Sequence, residues 1–218
     1  MMLTYRGEPN ENYQEFEQRI LKTTEGLIDT EGIMKMSLTI TKSNPPKLSV
    51  IPFSKNKIAI LSIQSSREIE LKNLSGLIAA YHVTEAIPVA YGKGWKDGET
   101  TPGACLLTLF NKKKKQSYDD FYKCWHEGHT PLSLEIHPLW HYNRNVVNTK
   151  IFGNETWDGI VEEHVKDKRQ LLNPISFFGG AFKMLYNMIR VYTDTKKFID
   201  YPSMETYLVQ ETWLKSAE

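Results

Sequence analysis

The sequence predicts an α+β fold in which two tandem ferredoxin-like βαββαβ units form one α+β barrel within the chain. Three observations predict it. The chain has 218 residues, 40% apolar and 24% charged, enough for one large globular unit or two small ones. Short self-matches recur in the same order in each half, and a strand–helix–strand–strand–helix–strand succession is legible twice.

The self-matches come first. Met2-Leu3-Thr4-Tyr5 aligns with Leu106-Leu107-Thr108-Leu109, and Tyr13-Gln14-Glu15-Phe16 aligns with Tyr118-Asp119-Asp120-Phe121. Tyr81, Val83 and Glu85 align with Tyr207, Val209 and Glu211, each set lying on one face of a period-2 strand. The spacing widens before the last match, so the second copy carries about 21 extra residues. The first unit spans residues 1–92, the second 104–218, and the glycine-rich stretch 93–103 between them reads as a linker.

In the first unit the pattern predicts strands over residues 2–5, 35–42, 57–63 and 77–90, a helix over 12–27 and a degenerate helical stretch over 66–73. In the second it predicts strands over 105–110, 141–150, 157–165 and 204–214. A helix opens at Ser117, whose hydroxyl can accept the Asp120 amide, and ends near Gly128. A longer helical region over 168–199 is interrupted at Pro174 and Gly179-Gly180.

Charge narrows the function. The 27 basic and 26 acidic side chains nearly cancel, which argues against nucleic acid or an anionic membrane as partner and favours a small, roughly neutral ligand. No apolar segment follows Met1 as in a secretory leader, and no run is long enough to span a bilayer. With only Cys105 and Cys124, both read as small core residues, the expected location is cytoplasmic.

Several motifs of the second unit together resemble the EthD family. They are the strand Leu106 to Leu109, the basic loop Lys112 to Lys115, and Trp125-His126-Glu127-Gly128-His129-Thr130-Pro131-Leu132 as a W-x-x-x-H-x-P-L segment. His141-Tyr142 stands where the family has an R-Y-like pair, and Asp158-Gly159-Ile160-Val161-Glu162 where it has D-G-I-A-E. His141, Val161 and His164 depart from the family's usual residues at their positions. The resemblance covers about half the chain. It implies the dimeric α+β barrel superfamily, which includes cofactor-free monooxygenases, polyketide cyclases, dehydratases and haem peroxidases, so it speaks to fold more than to reaction.

His129 is the leading catalytic candidate. At 100° per residue, Phe121, Tyr122, Trp125 and His129 share one stripe, which aims the imidazole at the sheet as a general acid or base. The plainer reading is a histidine bonding the last carbonyls of the helix. Tyr142, Arg144 and Val146 share one strand face, and Asp158, Ile160, Glu162 and His164 share another. These place Tyr142 and Glu162 as further catalytic candidates and Trp125, Arg144 and Asp158 as substrate-binding ones. An Arg144–Glu162 pair would be a buried ion pair, and a purely structural one is the commoner case. Glu85 and Glu211, duplicated by the repeat, read as structural, and Lys112 to Lys115 as a solvated turn.

His126 with His129 and His137 with His141 have ligand-like spacing, but no H-E-x-x-H motif or cysteine pair joins them, and no metal or other cofactor is expected. The function expected is therefore cofactor-independent acid/base chemistry on an apolar or aromatic, carbonyl-bearing small molecule, giving cyclisation, dehydration or oxygenation (a lyase, cyclase or monooxygenase). A non-catalytic ligand-binding or assembly module and, further off, a haem-binding oxidoreductase are the competing readings. Closure of the barrel within the chain would permit a monomer with an internal pseudo-dimer, and a homodimer remains open.

Overall fold

The structure, a computed structural model, describes residues 1–71, 74 and 76–217. Its strands are β1 (Met2–Arg6), β2 (Ile33–Ile40), β3 (Ile58–Ser65), β4 (Leu77–Val89), β5 (Ala104–Phe110), β6 (Leu139–Gly153), β7 (Gly159–Val165) and β8 (Glu205–Lys215). Helix α1 (Tyr13–Ile28) lies between β1 and β2. Between β5 and β6 run α2 (Tyr118–Tyr122), a π-helical segment (Lys123–His129) and α3 (Thr130–Ile136). Helices α4 (Lys168–Leu172), α5 (Pro174–Phe177) and α6 (Met184–Thr195) lie between β7 and β8.

The eight strands close into a single antiparallel barrel in the order β1-β3-β2-β8-β5-β7-β6-β4. Each half of the chain supplies four adjacent strands. The long β4–β6 ladder and the β2–β8 ladder join the halves, so no sheet edge is left exposed. The segment before β5 lies against β8, with the Gly98 amide bonding the Trp213 carbonyl and the Thr101 amide the Glu211 carbonyl.

The expectation of tandem ferredoxin-like βαββαβ repeats forming a dimeric α+β barrel is therefore corrected: the architecture is one closed eight-stranded β-barrel with few helices. The first half shows why. Residues 66–71, expected to begin a helix, are bends and irregular chain, while positions 72 and 73 of that stretch lie outside the described residues. Ile69 and Leu71 both pack on the core under α1, and a spacing of two residues does not set side chains on one side of a helix. The barrel has no face left for two separate layered units, because its closure takes the edge strands of both halves.

Local signals explain the elements that do form. Asn12 caps α1, its Oδ1 accepting the amides of Gln14 and Glu15 at 2.9 and 3.0 Å while Glu15 returns a bond to the Asn12 amide. Ser117 caps α2 by accepting the Asp120 amide at 3.1 Å. The helical run does not stop at Gly128 as the glycine suggests. It widens into the π segment, where the Thr130 amide bonds the Trp125 carbonyl, directly ahead of Pro131, which has no amide for an i−4 bond.

Three packing regions result. Outside the first half, Leu3, Tyr5, Met36, Leu38 and Leu61 pack solidly against Phe16 and Ile20 of α1. Inside the barrel, one end is apolar, with Met2, Ile60, Leu107, Trp157, Tyr207 and Val209. The other end is polar, with buried Thr39, His141, Asn143, Glu162, His164 and Glu211. Outside the second half, the helices rest on two smaller clusters instead of one core.

Candidate functional site

A cavity of about 510 Å³ opens between the outer sheet face of the second half and its helices. The sheet contributes Thr108 and Phe110 from β5, Tyr142 from β6, Val161 and Glu163 from β7, and Thr206 from β8. Trp125 and His129 of the π segment, Phe198, and Met188 and Val191 of α6 face them across the space. The corresponding face of the first half is filled by α1, and the first half contributes to this cavity only through Val50, Ile51 and Pro52.

Two motif segments meet at its floor. Trp125 is 1% exposed, and its ring packs edge-on against Phe110 at 5.1 Å between centroids. A Cβ at Gly159 would lie 2.6 Å from Phe110 Cζ and 2.9 Å from Trp125 Cη2. The glycine is needed for space: it is the surface on which the two rings sit.

His129 is held at both nitrogens. Its Nδ1 lies 3.1 Å from Asp194 Oδ2 and its Nε2 3.1 Å from Ser133 Oγ. A carboxylate oxygen accepts, so Nδ1 carries the proton and, in the neutral ring, Nε2 accepts the serine hydroxyl. Asp194 also binds Lys197 at 3.0 Å, and the His129 and Lys197 bonds hold its carboxyl below the usual carboxylate range. The order Ser–His–Asp is that of an acyl-transfer triad. However, Ser133 is 0% exposed and lies outside the cavity wall, so its hydroxyl cannot reach a ligand there. The cluster fixes the imidazole in place.

Glu163 is the carboxylic acid of the cavity wall and lies directly opposite Tyr142 in the β6–β7 ladder. Burial raises its pKa to about 7, since an apolar surrounding disfavours the charged form. Tyr142 is 1% exposed, and burial first, then the nearby Glu163, raises its hydroxyl pKa. His137, also in the wall, gives its Nδ1 proton to the Phe177 carbonyl at 2.8 Å and stacks on Phe177 at 4.1 Å. Burial lowers its pKa to about 4, leaving a neutral ring whose Nε2 keeps a lone pair.

Of the residues singled out in the sequence, the cavity gathers His129, Trp125 and Tyr142. Glu162 is elsewhere. It points into the barrel, accepting from Thr39 at 2.6 Å and from Asn143 at 3.3 Å. Arg144 faces Val161 in the ladder while Glu162 faces Asn143, so the two lie on opposite faces and the expected ion pair does not form. Arg144 donates instead to Thr130 Oγ1 at 2.7 Å. Asp158 anchors the loop after β5, accepting from the Lys112 amide at 2.9 Å and the Tyr118 hydroxyl at 2.8 Å. Sequence reasoning missed Glu163. The alternation puts Glu163 on one face with Val161 and Val165, but only the register to β6 sets it opposite Tyr142 on the outer face.

Among the described residues, no group of three or more His, Cys, Asp or Glu side chains is arranged to hold a metal ion. No helix of the described residues is long and apolar enough to cross a membrane. No protein-family model, curated protein or solved structure matches the chain.

Proposed function

We propose that the chain is an EthD-like, cofactor-independent enzyme that moves a proton on an apolar or aromatic, carbonyl-bearing small molecule held in the 510 Å³ cavity. The observation that carries this reading is Glu163, the one carboxylic acid in a mostly apolar and aromatic wall. With a pKa near neutrality it exists in both protonation states at working pH, as a general acid or base requires.

Tyr142, its cross-strand neighbour, supplies a hydroxyl donor for a developing oxyanion. His129, fixed by Asp194 and Ser133, orients the ligand from the opposite wall. Engagement of both its ring nitrogens argues against His129 as a haem ligand. Two free cysteines support a reducing, cytoplasmic setting.

The test is proton exchange. A panel of aryl ketones in D₂O is followed by NMR for loss of the α-proton, with wild type, Glu163→Gln and His129→Ala compared. Wild type should accelerate exchange on at least one ketone, and Glu163→Gln should lower that rate by about 100-fold or more. Exchange by Glu163→Gln at the wild-type rate would overturn the assignment of the acid/base group. Saturable ketone binding without exchange would favour a binding module.

A further inference from the structure

A second cavity, of about 320 Å³, lies at the polar end of the barrel interior, on the other side of the sheet from the first. We propose that it binds a small organic cation, a protonated alkylamine or diamine, with Glu85, Glu162 and Glu211 as its counter-charges.

Three carboxyl groups converge there from three strands. Glu85 and Glu211 line the cavity. Glu162 sits beside them, linked through Asn143, whose Nδ2 donates to Glu85 Oε1 at 2.8 Å and to Glu162 Oε2 at 3.3 Å. Glu211 receives the Tyr91 hydroxyl at 2.5 Å and the Thr101 hydroxyl at 2.7 Å, both on Oε2, which leaves Oε1 for another donor. Among the described residues none of the three carboxylates has an ion-pair partner. Glu162 and Glu211 are buried while Glu85 is exposed, and buried carboxylates without a cation are costly.

The Met1 ammonium acts electrostatically on Glu85, but among the described residues none of the chain's bases pairs with Glu162 or Glu211. His141, on the cavity wall and 6% exposed, has an Nδ1 with no hydrogen-bond partner among the described residues. It lies 4.2 Å from the Tyr91 ring and 5.1 Å from the His164 ring. Burial lowers the pKa of His141 to about 4 and that of His164 to about 3, so both are neutral. Lys35 stands on the wall without an ion pair to any of the three. The Met1 amino group, also on the wall, donates to the Ile63 carbonyl at 2.8 Å.

Burial, and then the neighbouring Glu211 and Glu85, raise the Glu162 pKa to about 8. One proton thus substitutes for a missing positive charge. An ammonium group would take that place, with the neutral imidazole of His141 as an additional acceptor.

The walls select an organic cation over a bare ion. Val83, Ile87 and Trp213 give apolar surface for a short carbon chain and an indole for a cation to lie against. Ile87 is 44% exposed, so the cavity reaches the surface.

The experiment is calorimetric titration of the full chain at pH 7 and fixed ionic strength. The probes are 1,4-diaminobutane, n-butylammonium and the neutral 1-butanol. The diamine is expected to bind at least about tenfold more tightly than 1-butanol, a difference of ~1.4 kcal/mol. Repeating the titration in buffers of different ionisation enthalpy should show proton release, because the cation favours ionised Glu162. Glu85→Gln and Glu162→Gln should each weaken the diamine by about tenfold or more. The result that overturns the proposal is no diamine binding up to about 10 mM, equal binding of 1-butanol, or unchanged affinity in both variants. If a variant fails to fold, the alcohol comparison and the proton release on wild type still decide it.

Discussion

Replacing Glu163 by glutamine should stabilise the protein at alkaline pH and change it far less in acid. Burial raises the Glu163 pKa from the 4.5 of a solvated glutamate side chain to about 7 in the folded chain. A carboxyl whose folded pKa is raised binds its proton more tightly in the folded state. Its contribution to stability is full below the unfolded value, declines as pH rises through the window from 4.5 to about 7, and is a constant penalty above it. The 2.5-unit gap corresponds to about 3 kcal/mol of penalty at high pH.

Glutamine has the same shape and no charge to titrate, so Glu163→Gln removes that contribution alone. Any pH-independent cost of the amide, and every other titrating group, cancels when the variant is compared with wild type at two pH values. The difference in stability should therefore grow by about 3 kcal/mol between about pH 4.5 and about pH 8.5, or roughly 6–12 °C in Tm for a chain of this size. Differential scanning calorimetry at those two pH values measures it. An equal Tm difference at both would mean that Glu163 ionises freely in a hydrated space, and the acid/base role given to it would lose its physical basis.

Other consequences are as direct. Asp194→Asn removes the charged partner of His129 and Lys197, and should cost about 1.5–3 kcal/mol at pH 7. Because the folded pKa of Asp194 is depressed, its contribution is present above the unfolded value of 3.8 and lost as pH falls through the folded one, so urea midpoints of variant and wild type should converge in strong acid. Gly159→Ala puts a methyl 2.6 Å from Phe110 Cζ, which should cost about 1–3 kcal/mol by overpacking. A Tm unchanged to within a degree would show that the rings can retreat. Trp125→Ala, at a 1% exposed position, should cost about 3–5 kcal/mol by denaturant unfolding.

How far the sequence reaches can be argued from particular residues. Alternation places most strands to within a few residues, and the caps at Asn12 and Ser117 are visible because they depend on neighbours in the chain. Closure into one barrel is not visible. It depends on which edge strands meet, β4 with β6 and β2 with β8, and nothing local in Leu77–Val89 or Glu205–Lys215 names its partner. The site divides along the same line. Tyr142 faces the cavity by its strand period, and Trp125 and His129 face it although the segment that carries them is π-helical and not the α-helix whose period marks them in the sequence. For Glu162 and Glu163, period says that the two point oppositely, not which of them points at the helices. The Asn143–Glu162 register answers that, and it turns one acidic dipeptide into two sites: Glu163 outside, the one carboxylic acid of a mostly apolar wall, and Glu162 inside, crowded by Glu85 and Glu211. The raised pKa values of these adjacent residues share burial as their first cause. They differ in the second, because acidic neighbours act on Glu162 alone, so a bound cation should lower the pKa of Glu162 and leave that of Glu163 unmoved.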